Sequence, residues 1–188
     1  VVLLRRPDAE AVVGEDDAGS LPAIKLGDLQ EATVVEALDA VQDTYGAIAA
    51  CVVLTPQGGV SEDANVLNGL GKRDVVGVPF LLAKHLRNAL QTAAETDWAG
   101  FFVVTRMDGA LGLTGDLGQT PAASGLTGLV KTLRLEWPAV ACRAVDVAPT
   151  LDSDVAAQRI VDEMLDPNRL LVEVGWDAEG RRVSVVAP

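Results

Sequence analysis

The chain has 188 residues, 49% apolar and 22% charged. That excludes wholesale disorder and suits one domain, since domains usually run about 100–200 residues. Acidic residues outnumber basic ones 27 to 15, for a net charge of −12, which argues against nucleic-acid phosphates or an anionic membrane surface as partners.

Only 4% of the residues are aromatic, so the core must be Val, Leu, Ile and Ala. Val1–Leu4 reads as a short strand, closed by Arg5, Arg6 and Pro7. It lacks an initiator Met and the signal-peptide order of charge, apolar stretch and cleavage site, so the chain reads as cut from a longer polypeptide. Residues 8–22 are rich in Asp, Glu, Gly and Ala without period and read as a flexible acidic loop; Ala23–Leu26 is a second short strand. Asp28 followed by Glu31 has the form of a capping box, and Val34, Val35, Leu38 and Val41 recur at helical spacing up to Gly46. Ala47–Leu54 is a continuous apolar run, expected to be a strand buried on both faces.

A long helix is expected over Asp74–Thr96, with Pro79 kinking it or marking its first turn. Phe101–Thr105 is a buried strand, Met107–Thr120 a Gly-rich loop, and Pro121–Trp137 a helix striped by Leu126, Leu129, Val130 and Leu133. Ala141–Val147 is the next strand. Asp152 or Ser153 caps a helix that Asp166-Pro167 ends, and Leu170–Val174 and Arg182–Val186 are the last strands. Strand and helix alternate four times, which predicts an α/β fold of three layers with a mostly parallel sheet. Residues 1–188 read as one unit. No apolar run reaches the roughly 18 residues of a membrane helix.

Cys51 and Cys142 lie in apolar runs and read as small buried hydrophobes in a reducing, cytoplasmic setting. With the lone His85 they cannot make a Cys/His zinc site. His85, mid-helix among Leu82, Leu86 and Leu90, reads as a packing or surface residue rather than part of a triad, and no G-x-S-x-G elbow is present. Glu62-Asp63 and Asp152/Asp154 read as solvated loop or cap residues. No G-x-G-x-x-G or P-loop occurs; Gly109–Gly115 is the nearest glycine cluster and reads as a strand-to-helix connection. Trp98, Trp137 and Trp176 stand at element ends, either at the edge of the core or as interface anchors.

Residues 125–136, Gly-Leu-Thr-Gly-Leu-Val-Lys-Thr-Leu-Arg-Leu-Glu, continue into Trp137-Pro138. Residues 142–149 then read Cys-Arg-Ala-Val-Asp-Val-Ala-Pro. This helix-to-strand passage resembles the short-chain dehydrogenase/reductases, and its wording is closest to the ketoreductase region of type I polyketide synthases, the polyunsaturated-fatty-acid and enediyne types above all. The resemblance covers roughly Leu26 to Pro149. It implies a Rossmann-like fold. It also implies a synthase ketoreductase built of two halves, a truncated structural half and an NADPH-binding catalytic half.

The departures from the family pattern point to the structural half. The family's catalytic Tyr and Lys positions fall near Gln119 and Ala123, and its Ser position near Arg106–Asp108. Its Asn-Asn-Ala-Gly motif falls on Leu54-Thr55-Pro56-Gln57, and the only tyrosine is Tyr45. In the family the Tyr donates the proton, the Lys lowers its pKa and holds the ribose, and the Ser orients the carbonyl. The expectation is therefore a truncated Rossmann-like scaffold with no catalytic, cofactor-binding or metal residues of its own. Its partners would be a catalytic ketoreductase half carrying NADPH, other synthase domains and an acyl carrier protein. An exposed apolar patch should mark the contact, with Trp98, Trp137, Trp176 and the last strand as candidates. The alternatives are a divergent NAD(P)-dependent short-chain reductase, or a carrier-protein docking or dimerisation module. Docking an acidic carrier on an acidic chain would need a local basic patch, at Arg5-Arg6 or Arg181-Arg182.

Overall fold

The computed structural model describes residues 1–5, 21–55, 72–114 and 121–183. The chain divides into two compact units, Val1–Ile48 and Ala49–Pro188.

In the first unit, β1 (Leu3–Arg5) pairs in parallel with β2 (Ala23–Lys25), and α1 (Glu31–Tyr45) follows. The helix buries Val34, Ala37, Leu38 and Val41, the spacing of a single apolar stripe. Its start corrects the capping-box expectation. The N-cap is Gln30, with no side-chain cap, so Glu31 is the first helical residue rather than the third. Asp28 acts one turn ahead, accepting the Gln30 amide at 3.0 Å and the Thr33 hydroxyl at 2.6 Å. Gly46 ends the helix at φ +87°, donating its N–H to the Gln42 carbonyl, a left-handed cap that glycine takes without steric cost.

The second unit is a five-stranded sheet in the order β3-β4-β5-β6-β7. The strands are β3 (Ala50–Leu54), β4 (Gly100–Thr105), β5 (Ala141–Val147), β6 (Glu173–Asp177) and β7 (Gly180–Val183). The first four are parallel, and β7 returns antiparallel through a tight turn. The helices between them are α2 (Lys72–Thr96), α3 (Pro121–Glu136) and α4 (Ser153–Leu165). α2 passes through Pro79 well inside its length rather than starting there. Ala83, Leu86 and Leu90 form its buried stripe.

Alternation along the strands sorts the two faces. Phe101 meets Trp137, just past α3, edge to face. On the other face Val104, Val145 and Val147 cluster with Ala156 of α4, packed around by Leu151, Ile160 and Trp176. Helices thus lie on both sides of the sheet, the three-layer arrangement expected. β4 is buried along its whole length, and β5 at every position after Ala141. β3 differs from expectation: Val52 is 36% and Leu54 64% exposed. β3 is an edge strand, and α4 lies over β4 and β5, so the face of β3 turned to that side is bare.

α4 is fixed by charge as well as by apolar packing. Its N-cap is Asp152, whose carboxylate accepts the amides of Asp154 and Val155. Near its C-terminal end Glu163, 2% exposed, receives Arg143 of β5 at 2.8 Å. It also takes two bonds from Arg181 of β7, both at 2.7 Å, and the Trp176 indole N–H at 2.9 Å. Arg143 spends its other N–H groups on the carbonyls of Glu163, Asn168 and Leu171. Those carbonyls explain why the penultimate strand starts at Glu173 rather than Leu170. Residues 166–171 are coiled into turns, with Asp166 accepting the Asn168 amide and Asn168 the Leu170 amide, and they face the arginine instead of a neighbouring strand.

Breaking a buried ion pair from one side leaves an uncompensated charge, which costs about 3–5 kcal/mol. Glu163→Ala leaves Arg143 with Asp166 at 3.6 Å and three backbone carbonyls, and is expected to lower the urea unfolding free energy by an amount toward the lower end of that range, about 3 kcal/mol. Arg181→Ala, whose side chain is 32% exposed, should cost clearly less.

Candidate functional site

In open α/β sheets ligands bind beyond the carboxyl ends of the parallel strands. Here that end of β4 is followed at once by residues 106–114. Two carboxylates organise this loop.

Asp146, on β5 and fully buried, accepts the Thr105 hydroxyl and the Met107 amide, both at 2.8 Å, through Oδ1. Its Oδ2 accepts the amides of Leu111 at 2.9 Å and Asp108 at 3.3 Å. Asp108 in turn accepts the amides of Gly112 at 2.7 Å, Ala110 at 2.8 Å and Thr114 at 3.1 Å, and the Thr114 hydroxyl at 2.6 Å. Burial works to raise the Asp108 pKa. The Thr114 hydroxyl and the amides of Gly112, Ala110 and Thr114 outweigh it and hold the carboxyl well below the usual range.

The loop also lies directly on β6. Gly109 has φ +73°, and a Cβ there would strike the Trp176 carbonyl; a Cβ on Gly175 would strike the Gly109 carbonyl. Two backbones meet at this point with no room for a side chain.

The described part of the Gly109–Gly115 cluster, residues 109–114, follows β4 and precedes α3, the strand-to-helix connection expected. A phosphate loop needs inward N–H groups without partners, whereas the inward amides here are bonded to Asp146 and Asp108. Arg106, which starts the loop, reaches the carbonyls of Pro149 and Leu151, at 3.4 Å each. The hydroxyl–carboxylate pair of Thr105 and Asp146 is sealed in the core, with Thr105 1% exposed.

The other residues singled out by sequence are scattered. His85 lies partly buried on α2. Tyr45 ends α1, 54% exposed. Thr55 donates its amide to the Val104 carbonyl, while Pro56, Gln57, Glu62, Asp63, Gly115 and Gln119 lie outside the described residues. Asp152 and Asp154 belong to the α4 cap. Among the described residues no group of His, Cys, Asp and Glu could hold a metal ion, and no helix is long and apolar enough to cross a membrane.

Of the three tryptophans only Trp137 is fully buried, and Trp98 and Trp176 are partly exposed. Trp137 is 2% exposed in the core. Trp98 stacks on Phe102, and Trp176 is held between Glu163 and the Arg159 guanidinium, which sits 4.6 Å from its ring. Arg181-Arg182 is not a free basic patch: Arg181 is paired with Glu163 and Asp166, and Arg182 with Asp177 and Glu179. The residues that sequence reasoning passed over are Asp108, Asp146, Arg143 and Glu163. For two of them a signal existed, since charged residues at 143 and 146 inside an otherwise apolar strand demand buried partners.

No family model matches the chain. It is 31% identical over 212 residues to one of the subunits of a polyunsaturated fatty acid synthase from Thraustochytrium sp., an alignment covering 99% of this chain and 8% of that protein. Its fold is similar to that of an NADPH-dependent 3-quinuclidinone reductase from Rhodotorula rubra, with a TM-score of 0.56 and 14% identity over 85% of this chain and 65% of that one. A putative short-chain dehydrogenase/reductase from Burkholderia xenovorans aligns with a TM-score of 0.54 and 15% identity over 78% and 59%. The chain thus spans under two thirds of these enzymes and a small part of the synthase polypeptide.

Because folding lowers the Asp108 pKa, its contribution to stability is complete above the ordinary carboxylate value of about 4 and is lost as pH falls below it. Asp108→Asn should destabilise the chain at pH 7 and flatten the acid limb of its stability–pH curve, measured by urea unfolding from pH 7 to pH 3. Burial pushes the thiols of Cys51 and Cys142 up to about 12. Both should react far more slowly with an alkylating reagent at pH 8 in the folded chain than in urea, as counted by mass spectrometry.

Proposed function

We propose that this chain, similar over nearly its whole length to a segment of a polyunsaturated fatty acid synthase subunit and alike in fold to short-chain reductases, is a noncatalytic scaffold within a megasynthase ketoreductase. Its work is to pack on a catalytic half and fix that half's position. The catalytic half binds NADPH and reduces β-ketoacyl chains carried by an acyl carrier protein. In this reading residues 1–188 act as one cytoplasmic subdomain.

The observation that carries the reading is the state of the strand-end loop. Where the family pattern places its catalytic Ser, this chain has Arg106-Met107-Asp108, and the loop amides are bonded to its own Asp146 and Asp108. The sequence adds that no Tyr or Lys stands at or beside Gln119 and Ala123. The bare face of β3, with Val52 and Leu54, supplies apolar surface of the kind a permanent partner covers.

NADPH titration of the purified chain, followed by tryptophan fluorescence and calorimetry, is expected to show no saturable binding at millimolar cofactor while circular dichroism reports a folded α/β protein. Saturable micromolar binding would overturn the reading and make the chain a divergent reductase.

A further inference from the structure

We propose that residues 108–114 form an oxyanion seat that the chain keeps filled with its own Asp108 carboxylate, closing that seat to external anions. The proposal goes beyond the scaffold reading and does not depend on what the chain packs against.

Three amides and one hydroxyl, those of Ala110, Gly112 and Thr114, converge on Asp108. They do so because the backbone turns left-handed at Gly109, Leu111 and Gly112, with φ of 73°, 62° and 78°. Successive N–H groups turned inward by such reversals make a concave anion site. Leu111 is a non-glycine residue in that region, a conformation kept only where the surroundings impose it.

The two carboxylates of the loop are not equivalent. Asp146 enters from β5 and is sealed in the core, and its donors Thr105, Met107 and Leu111 anchor the loop to the sheet. Asp108 is a residue of the loop itself, at its partly exposed outer side, and its partner Thr114 is exposed. Removing the Asp108 carboxylate therefore leaves the loop anchored by Asp146 and by the Gly109–Gly175 contact. What remains, among the described residues, is a set of converging donors beside the exposed Thr114.

The matching ligand is a small oxyanion. A carboxylate such as formate reproduces what was removed. Inorganic phosphate brings more charge toward Asp146, one hydrogen-bonded layer away, and should bind more weakly.

The test is chemical rescue in the whole chain. Asp108→Ala and the wild type are titrated with sodium formate and with sodium phosphate, against sodium chloride at equal ionic strength. Thermal unfolding and the amide NMR signals of Ala110, Gly112 and Thr114 are followed. The expected result is a saturable rise in the Tm of Asp108→Ala with formate, smaller with phosphate and absent in the wild type. The three amide signals should move along the same binding curve. No rise beyond the chloride control, or an equal rise in the wild type, would overturn the proposal. If Asp108→Ala does not fold, Asp108→Ser is titrated in the same way, and a flat response there overturns it equally.

Discussion

A carboxylate removed from water is tolerable only when its lone pairs all find donors, and Asp146 meets that demand within a single neighbourhood. It holds the last residue of β4 and the first turns of the following loop against the end of β5. Once those bonds exist the loop cannot lift away without exposing a buried charge. Its remaining inward amides are left for Asp108. The same bonds that build this end of the sheet occupy the loop amides of Met107, Asp108, Ala110, Leu111, Gly112 and Thr114.

Glu163 plays the corresponding part at the far end of α4. Two arginines from different strands and an indole N–H meet on one carboxylate. An ion-paired centre of this kind contributes little net stability over an apolar one but is intolerant of loss from one side. What it supplies is register. α4 and β7 can each take only the position that brings Arg143 and Arg181 to the same group, and Arg143 in addition draws residues 168–171 out of any ladder.

The elements with strong periodicity were legible in the sequence. The strand at Ala141–Val147 coincides with expectation, and α2, α3 and α4 lie within two residues of it. The errors fall where a distant partner decides. Leu170 and Leu171 look like strand residues, but their segment answers to Arg143. The apolar run before Leu54 looks buried on both sides, but burial of the second face depends on where α4 lands. The candidate site shows the same division. The missing family residues were readable from sequence alone, whereas the loop's amide bonding needed the fold, because Asp146 is 35 residues from Leu111.

The bare side of β3 bears on how the chain behaves as a solute. Val52 and Leu54 are exposed on β3, the end strand of the five-stranded sheet, and apolar surface of this kind favours association with a second copy. The net charge of −12 opposes that encounter, since like-charged molecules repel at low ionic strength. The repulsion shortens to about 8 Å in physiological salt. The colloidal stability of the isolated chain is thus set by ionic strength as much as by its fold.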